Sequence, residues 1–156
     1  LAGESGDQLD ASLLLFAWYG FEKSDDPRMQ STYARLRDQL DAGNGLLYRY
    51  RKDHSEGAFA LCSFWEVEFL ALGGGTQQAA EELFEHLLSF QNELGLYAEE
   101  IEPGNGNALG NFPQAFTHVG VIGAALSLAD RAKGAQSLPH RQEKASPHGT
   151  AQGANA

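Results

Sequence analysis

Residues 96–118 read LYAEEIEPGNGNALGNFPQAFTH, and the rest of the chain is arranged around them. Glu99 and Glu100 stand side by side on a short extended run that includes Tyr97 and Ile101. A loop rich in Gly, Asn and Pro follows over residues 102–113, and an apolar helix opens at Gln114. Long helical patterns flank this stretch, so a rigid helical scaffold is expected to present an acidic loop. Loops held in this way carry a large share of catalytic and binding groups. An acidic pair on a helix–helix connection is more often plain solvated charge. Spacing alone leaves both readings open.

Downstream, the helix from Gln114 to about Ala132 is apolar on several sides through Phe116, Val119, Val121, Ile122 and Leu126. Beyond Lys133 the composition collapses: residues 134–156 hold one leucine among Gly, Ala, Gln and Ser. So little apolar surface cannot offset the entropy of ordering, and a disordered tail is predicted. His140 and His148 in that tail are too sparse for a metal site. The chain therefore divides into residues 1–133 and a tail, 134–156.

Upstream, Ala80, Leu83, Leu87, Phe90 and Leu94 give an amphipathic helix that Thr76 caps and Gly95 stops. His86 lies on its polar side. Residues 58–72 are apolar nearly all round, which predicts a buried helix. Glu66 and Glu68 interrupt it, and at least one of them must be bonded or near solvent. Trp65, like Trp18 nearer the start, reads as core. Gly73-Gly74-Gly75 breaks this helix. Farther back, Asp26-Pro27 is a cap followed by proline at the first helical position. Met29, Tyr33, Leu36 and Leu40 continue the stripe to Gly43-Asn44-Gly45, and residues 46–50 read as a short extended segment. Arg49, Arg51 and Lys52 form a basic knot that spacing alone makes a solvated turn, and residues 53–57 read as a polar turn. Residues 7–19 are a helix carrying Asp10 and Ser12 and ending at Gly20; residues 1–6 read as a frayed start. Five helices with two short extended pieces make an all-α chain of antiparallel pairs.

The formal net charge of −10 argues against nucleic acid and suits a protein acting on a neutral ligand. No run of 18 apolar residues marks a membrane span, and no secretion signal opens the chain. A cytoplasmic location is the expectation. The chain starts at Leu1 and its single methionine is Met29, which fits a start within a longer reading frame or a trimmed chain. Cys62 has no partner for a disulfide and reads as a packed thiol. PGNGNALGN is glycine-rich but does not follow a strand and open a helix as a phosphate-binding loop must.

Four blocks in order resemble glycoside hydrolase family 15, the glucoamylase, glucodextranase and trehalase-type enzymes. They are LDASLLL from Leu9, LLYRYR from Leu46, EGAFALCSFWEVEFLAL from Glu56, and GLYAEEIEP with LGNFPQAFTHVGVIGAAL from Gly95. The resemblance covers about residues 9–128 and is to the C-terminal portion of much longer proteins. It implies part of an (α/α)6 toroid of helical hairpins with its active site in loops at one end. A piece of such a ring would leave apolar seams uncovered and prone to self-association.

The resemblance also implies the chemistry. Glycoside hydrolysis needs two carboxyl groups across the scissile bond, separated by about 6.5–9.5 Å in inverting enzymes, where one activates water. Family 15 enzymes are inverting. Glu99 falls where the family has its general base, and Glu100 falls beside it as an orienting or substrate-side neighbour. The family's general acid lies upstream, in a segment with no counterpart here, so this chain carries half of a catalytic pair. Arg49 and Tyr50 match an Arg-Tyr step that meets sugar hydroxyls, which suits the guanidinium's fixed fork of donors. Glu56 opens a block that lines the pocket, and Phe116 matches an aromatic on the helix after the base. Asn111 and Gln114 would hold the base loop, whereas His118 reads equally as a core histidine bonded to backbone. Glu66 and Glu68 read as structural.

The implied substrate is an α-glucan, an α-glucoside or trehalose; no metal or cofactor is called for. Two rivals stand beside hydrolysis: a non-catalytic helical-hairpin module that binds a partner through its seams, and sugar binding without turnover.

Overall fold

The computed structural model describes residues 9–50 and 56–134. The frayed start, Arg51 and Lys52, most of the polar turn at 53–57, and the tail with His140 and His148 lie outside the described residues.

A 3-10 turn, Ala11–Leu14, runs into the single helical turn α1, Leu15–Trp18. Asp10 does not lie on this helix as expected; it caps it, accepting the Ser12 N–H at 2.8 Å. Ala11, Leu14 and Ala17 of this segment are buried in the core and Leu13 packs against it, while Phe16, Tyr19 and Phe21 stay exposed. Helix α2, Pro27–Leu40, begins as predicted, with the Asp26 carboxylate accepting the Arg28 N–H at 2.8 Å and proline in the first turn. Its stripe buries Met29, Leu36 and Leu40.

The chain then departs from expectation. Gly43-Asn44-Gly45 does not stop a helix but makes a hairpin between β1, Asp41–Gly43, and β2, Leu46–Leu47. Asn44 and Gly45 both take positive φ, 54° and 71°, the backbone that a two-residue hairpin turn requires. The Leu47 N–H donates to Ser63 Oγ at 3.0 Å, fastening this hairpin to the buried helix α3, Ala60–Phe69. A wide turn at Leu70–Gly74 ends α3, with Gly73 at φ 105°. Thr76 then caps α4, Gln77–Leu88, through the Ala79 N–H at 3.0 Å. The sequence pattern carried α4 on to Leu94, but the helix stops at Leu88 and Leu94 is 80% exposed. The Asn92 side chain wins locally, because its Oδ1 accepts the N–H groups of Leu94 and Leu96 and folds the chain into a turn.

Three more short strands complete the described elements: β3, Ala58–Phe59; β4, Glu100–Ile101; and β5, Ala108–Leu109. They form an antiparallel sheet in the order β3-β4-β5. So the two extended pieces expected are five short strands in two small sheets, although helices still dominate. The last helix, α5, Ala115–Ala132, begins where predicted.

Helices α3 and α5 are the packed centre, and they run parallel. Both start at the small sheet, where the Ala60 N–H donates to Glu99 O at 3.0 Å and Thr117 Oγ1 donates to Ala98 O at 3.0 Å. Their contacts then step down together: Gly120 lies against Leu61 and Phe64, Gly123 meets Glu68, and Arg131 donates to Leu70 O and Gly75 O. Apart from Leu128, the buried face of α5 is made of small residues, Thr117, Gly120, Ala124 and Ser127, which let the two backbones approach closely. Its opposite face, Phe116, Val119, Ile122 and Leu126, is more than half exposed at every position.

The two glutamates of α3 are both buried and resolve differently. Glu66 accepts the Tyr33 hydroxyl at 2.6 Å and Arg37 Nη1 at 3.0 Å, so its charge is paired. Burial still pushes its carboxyl above the usual range, against the pull of those two partners. Glu68 has no hydrogen bond or ion pair among the described residues, and it fills a notch that Gly123 leaves on α5. A Cβ added at Gly123 would collide with Glu68 Oε1. Burial pushes the Glu68 carboxyl from 4.5 up to about 8. Because the folded chain holds this proton more tightly than the unfolded one, the stabilisation is complete below about 4.5. It is lost as pH rises through about 8. We predict that urea denaturation from pH 4.5 to 8 shows wild type losing up to about 1.4 kcal/mol per pH unit relative to Glu68→Gln. Parallel curves for the two proteins would contradict this.

Candidate active site

Glu99 stands just before β4 and Glu100 opens it, and the two carboxylates turn to separate partners. Glu100 turns toward β3, where its Oε2 accepts the Gly57 N–H at 3.0 Å. Gly57 fits there because it lacks a side chain: a Cβ would lie 3.0 Å from Ile101 O and 3.1 Å from the Glu100 Cβ. Glu99 turns the other way, toward the strand end after β5. Its Oε2 accepts both the Asn111 backbone N–H at 3.0 Å and the Asn111 Nδ2 at 2.7 Å. The Glu99 N–H in turn donates to Asn111 O at 2.9 Å. Gly110, at φ +70°, lies flat against this carboxylate, and a Cβ there would stand 3.0 Å from Glu99 Oε2. Glu99 is half-buried.

The backbone under Glu99 is anchored at three successive carbonyls. Tyr97 O accepts the Gln114 N–H at 2.9 Å, Ala98 O accepts Thr117 Oγ1 at 3.0 Å, and Glu99 O accepts the Ala60 N–H at 3.0 Å. Thus the first turns of α5 and α3 both grip the segment. His118 completes the anchor: its Nδ1 donates to Gln114 O at 2.7 Å and its Nε2 accepts the Tyr97 N–H at 3.4 Å. Both ring nitrogens of His118 thus face backbone groups, which makes it a backbone-bonded histidine. Gln114 caps α5, its Oε1 accepting the Phe116 N–H at 3.4 Å, while Asn111 holds the carboxylate itself. Tyr97 is buried with its hydroxyl pushed up to about 12 by desolvation.

The other residues singled out from the sequence make contacts of their own away from Glu99 or stand exposed. Glu56 is exposed immediately before Gly57 and β3. Arg49 and Tyr50 follow β2 and lie against the start of the chain. Arg49 Nε is 3.8 Å from Asp10 Oδ2, its guanidinium sits 5.9 Å from the Tyr50 ring centroid, and Arg49 O accepts the Ala11 N–H at 2.8 Å. Phe116 is 68% exposed in the first turn of α5 and heads the uncovered apolar stripe. Trp65 packs against the core as expected. Cys62 is buried with its thiol pushed up by desolvation. His86 is exposed and also fastens α4 to the first hairpin through Asn44 O at 2.9 Å.

Sequence reasoning missed Gly57 and Gly110, the two glycines that let backbone close on the acidic pair. Each flanks a two-residue strand, Ala58–Phe59 or Ala108–Leu109, too short to leave a pattern in the sequence. Among the described residues no group of three or more His, Cys, Asp or Glu could hold a metal ion. No described helix is long and apolar enough to cross a membrane.

The model of Glycosyl hydrolases family 15 matches residues 2–74 and 75–126. The chain is similar to a trehalase of Mycolicibacterium smegmatis, 47% identical over 127 residues, covering 77% of this chain and 19% of that protein. A trehalase of Mycobacterium tuberculosis is 47% identical over 78% of this chain and 19% of its own length. One from Thermoplasma acidophilum is 40% identical over 78% and 22%. The chain thus spans about a fifth of the length of the curated relatives it matches. In three dimensions it is similar to a bacterial glucoamylase crystallised with acarbose, at a TM-score of 0.69, 16% identity, and coverage of 83% of this chain and 21% of that one. Its helices have the arrangement of part of an (α/α)6 toroid. With a family model matched along most of its length and relatives at 47% identity, this chain belongs to glycosyl hydrolase family 15.

Proposed function

We propose that this chain supplies the general base for inverting hydrolysis of an α-glucosidic bond, and that Glu99 is that base. One observation carries the reading. Glu99 is a half-buried carboxylate whose Oε2 is taken by two donors while Oε1 has no partner among the described residues. A base must keep one oxygen free for a water proton and hold its orientation between turnovers. Glu100 is engaged by Gly57, which supports an orienting role. Arg49, Tyr50, Glu56 and Phe116 are proposed for the sugar side. The trehalase relatives make trehalose the first substrate to test, ahead of α-glucans.

The proposal includes incompleteness. The general acid would come from hairpins that this chain does not contain, and those hairpins would cover the α5 stripe of Phe116, Val119, Ile122 and Leu126. The chain's one-fifth share of its relatives supports that occupant. The stripe also gives the binding-module rival its one structural support, since an exposed apolar face invites a partner. A chimera separates the readings: this chain replaces the matching segment of the Mycolicibacterium smegmatis trehalase. The expected result is trehalose hydrolysis by the chimera and none by the isolated chain, which self-associates until the upstream portion is added. A well-folded chimera without hydrolysis would leave the binding-module reading in its place.

A further inference from the structure

We propose that Asn111 is the positioning residue for Glu99, fixing which carboxylate oxygen takes the proton; this rests on Glu99 being the base. Two donors of one residue, backbone N–H and Nδ2, converge on the same oxygen, Oε2, at 3.0 and 2.7 Å. The return bond from the Glu99 N–H to Asn111 O, 2.9 Å, closes a ring between the two residues, so neither can rotate without the other. Gly110 completes the clamp. Its φ of +70° and missing Cβ bring the chain flat against Glu99, and any side chain there would press on the carboxylate.

The consequence is chemical as well as geometric. An oxygen that accepts two hydrogen bonds is the poorer base of the pair, because its lone pairs are already engaged. Oε1 therefore receives the water proton. Water's O–H bond breaks toward Oε1 as its oxygen bonds to the anomeric carbon and the glucosidic oxygen leaves with its electron pair. An amide suits this task at every pH at which the base works, since it donates without carrying charge. The other ionisable groups nearby are committed elsewhere, Glu100 to Gly57 and His118 to Tyr97 and Gln114.

Two variants in the chimera test this, with Glu99→Gln beside them. Asn111→Ala keeps the backbone donor and loses the amide, so kcat is expected to fall about 10- to 100-fold with KM within about 3-fold of wild type. Asn111→Asp is isosteric and should fold normally, but it sets a like charge beside the base. The acid limb of its kcat profile is expected to move up by about one pH unit, because the added negative charge makes the base hold its proton more tightly. A merely structural role would move the melting temperature and leave that limb in place. If both Asn111 variants match wild type while Glu99→Gln is inactive, the positioning role is wrong and the base stands. If Glu99→Gln is itself active, the base assignment fails and this proposal falls with it.

Discussion

Glu99→Gln in the chimera is expected to lower kcat for trehalose by about 10³-fold, within the range by which a positioned general base accelerates a reaction. The amide preserves size and can still receive the Asn111 donors on its Oε1 atom, so the fold around β4 should persist. What disappears is the capacity to take a proton from water. KM should change little, because the base meets the attacking water and not the sugar hydroxyls. The matched substitution Glu100→Gln is expected to cost far less. Its carboxylate accepts the Gly57 N–H, away from Asn111, and an amide oxygen can keep that bond. Steady-state kinetics on the two variants checks the pair. Equal losses would mean that the two carboxylates do not have separate roles.

Arg37→Ala is expected to destabilise the isolated chain by about 3 kcal/mol at neutral pH, the low end for breaking a buried ion pair. Arg37 Nη1 lies 3.0 Å from Glu66 Oε2, and the Glu66 side chain is 3% exposed. Removing the guanidinium leaves a buried carboxylate with one hydrogen bond, from Tyr33 at 2.6 Å. Such a group escapes by taking a proton. Its carboxyl is already pushed upward by burial, and losing the arginine pushes it further. The deficit should therefore shrink as pH falls and the orphaned Glu66 protonates, the sign required of an acid whose folded form prefers the proton. Urea denaturation of wild type and variant at pH 7 and pH 4.5 checks both parts. A pH-independent loss would mean that Arg37 acts by packing, or through its second bridge to Asp41 at 3.2 Å.

The helices were legible because their signals are local. Asp26-Pro27 and Thr76 cap where the sequence placed them, and the stripe of α2 buries the expected core, whereas on α5 Phe116, Val119, Ile122 and Leu126 stay exposed and mostly small residues turn inward. The strands were hidden for a physical reason: a two-residue strand has no period to read, and its partner is fixed by tertiary contacts. Asn44-Gly45 was the exception, a hairpin signal read as a helix stop. Leu94 misled for the opposite reason, since it continued a helical period after the Asn92 side chain had already closed a turn. At the site, the choice between Glu99 and Glu100 came from family resemblance. The structure adds what spacing lacked, a separate partner for each carboxylate, Gly57 for Glu100 and Asn111 for Glu99. The lone burial of Glu68 depends on Gly123, more than fifty residues away, and no window along the sequence contains both.

The most direct test of Glu99 as the base is azide rescue of Glu99→Ala in the chimera, with α-glucosyl fluoride as substrate. With the base removed, azide can occupy the place of water. Its nitrogen bonds to the anomeric carbon as the carbon–fluorine bond breaks and fluoride leaves. We predict that azide restores turnover to Glu99→Ala and leaves wild type unaffected, and that the product is β-glucosyl azide. Rescue in Glu100→Ala but not in Glu99→Ala, or a product that retains the α configuration, would contradict the assignment.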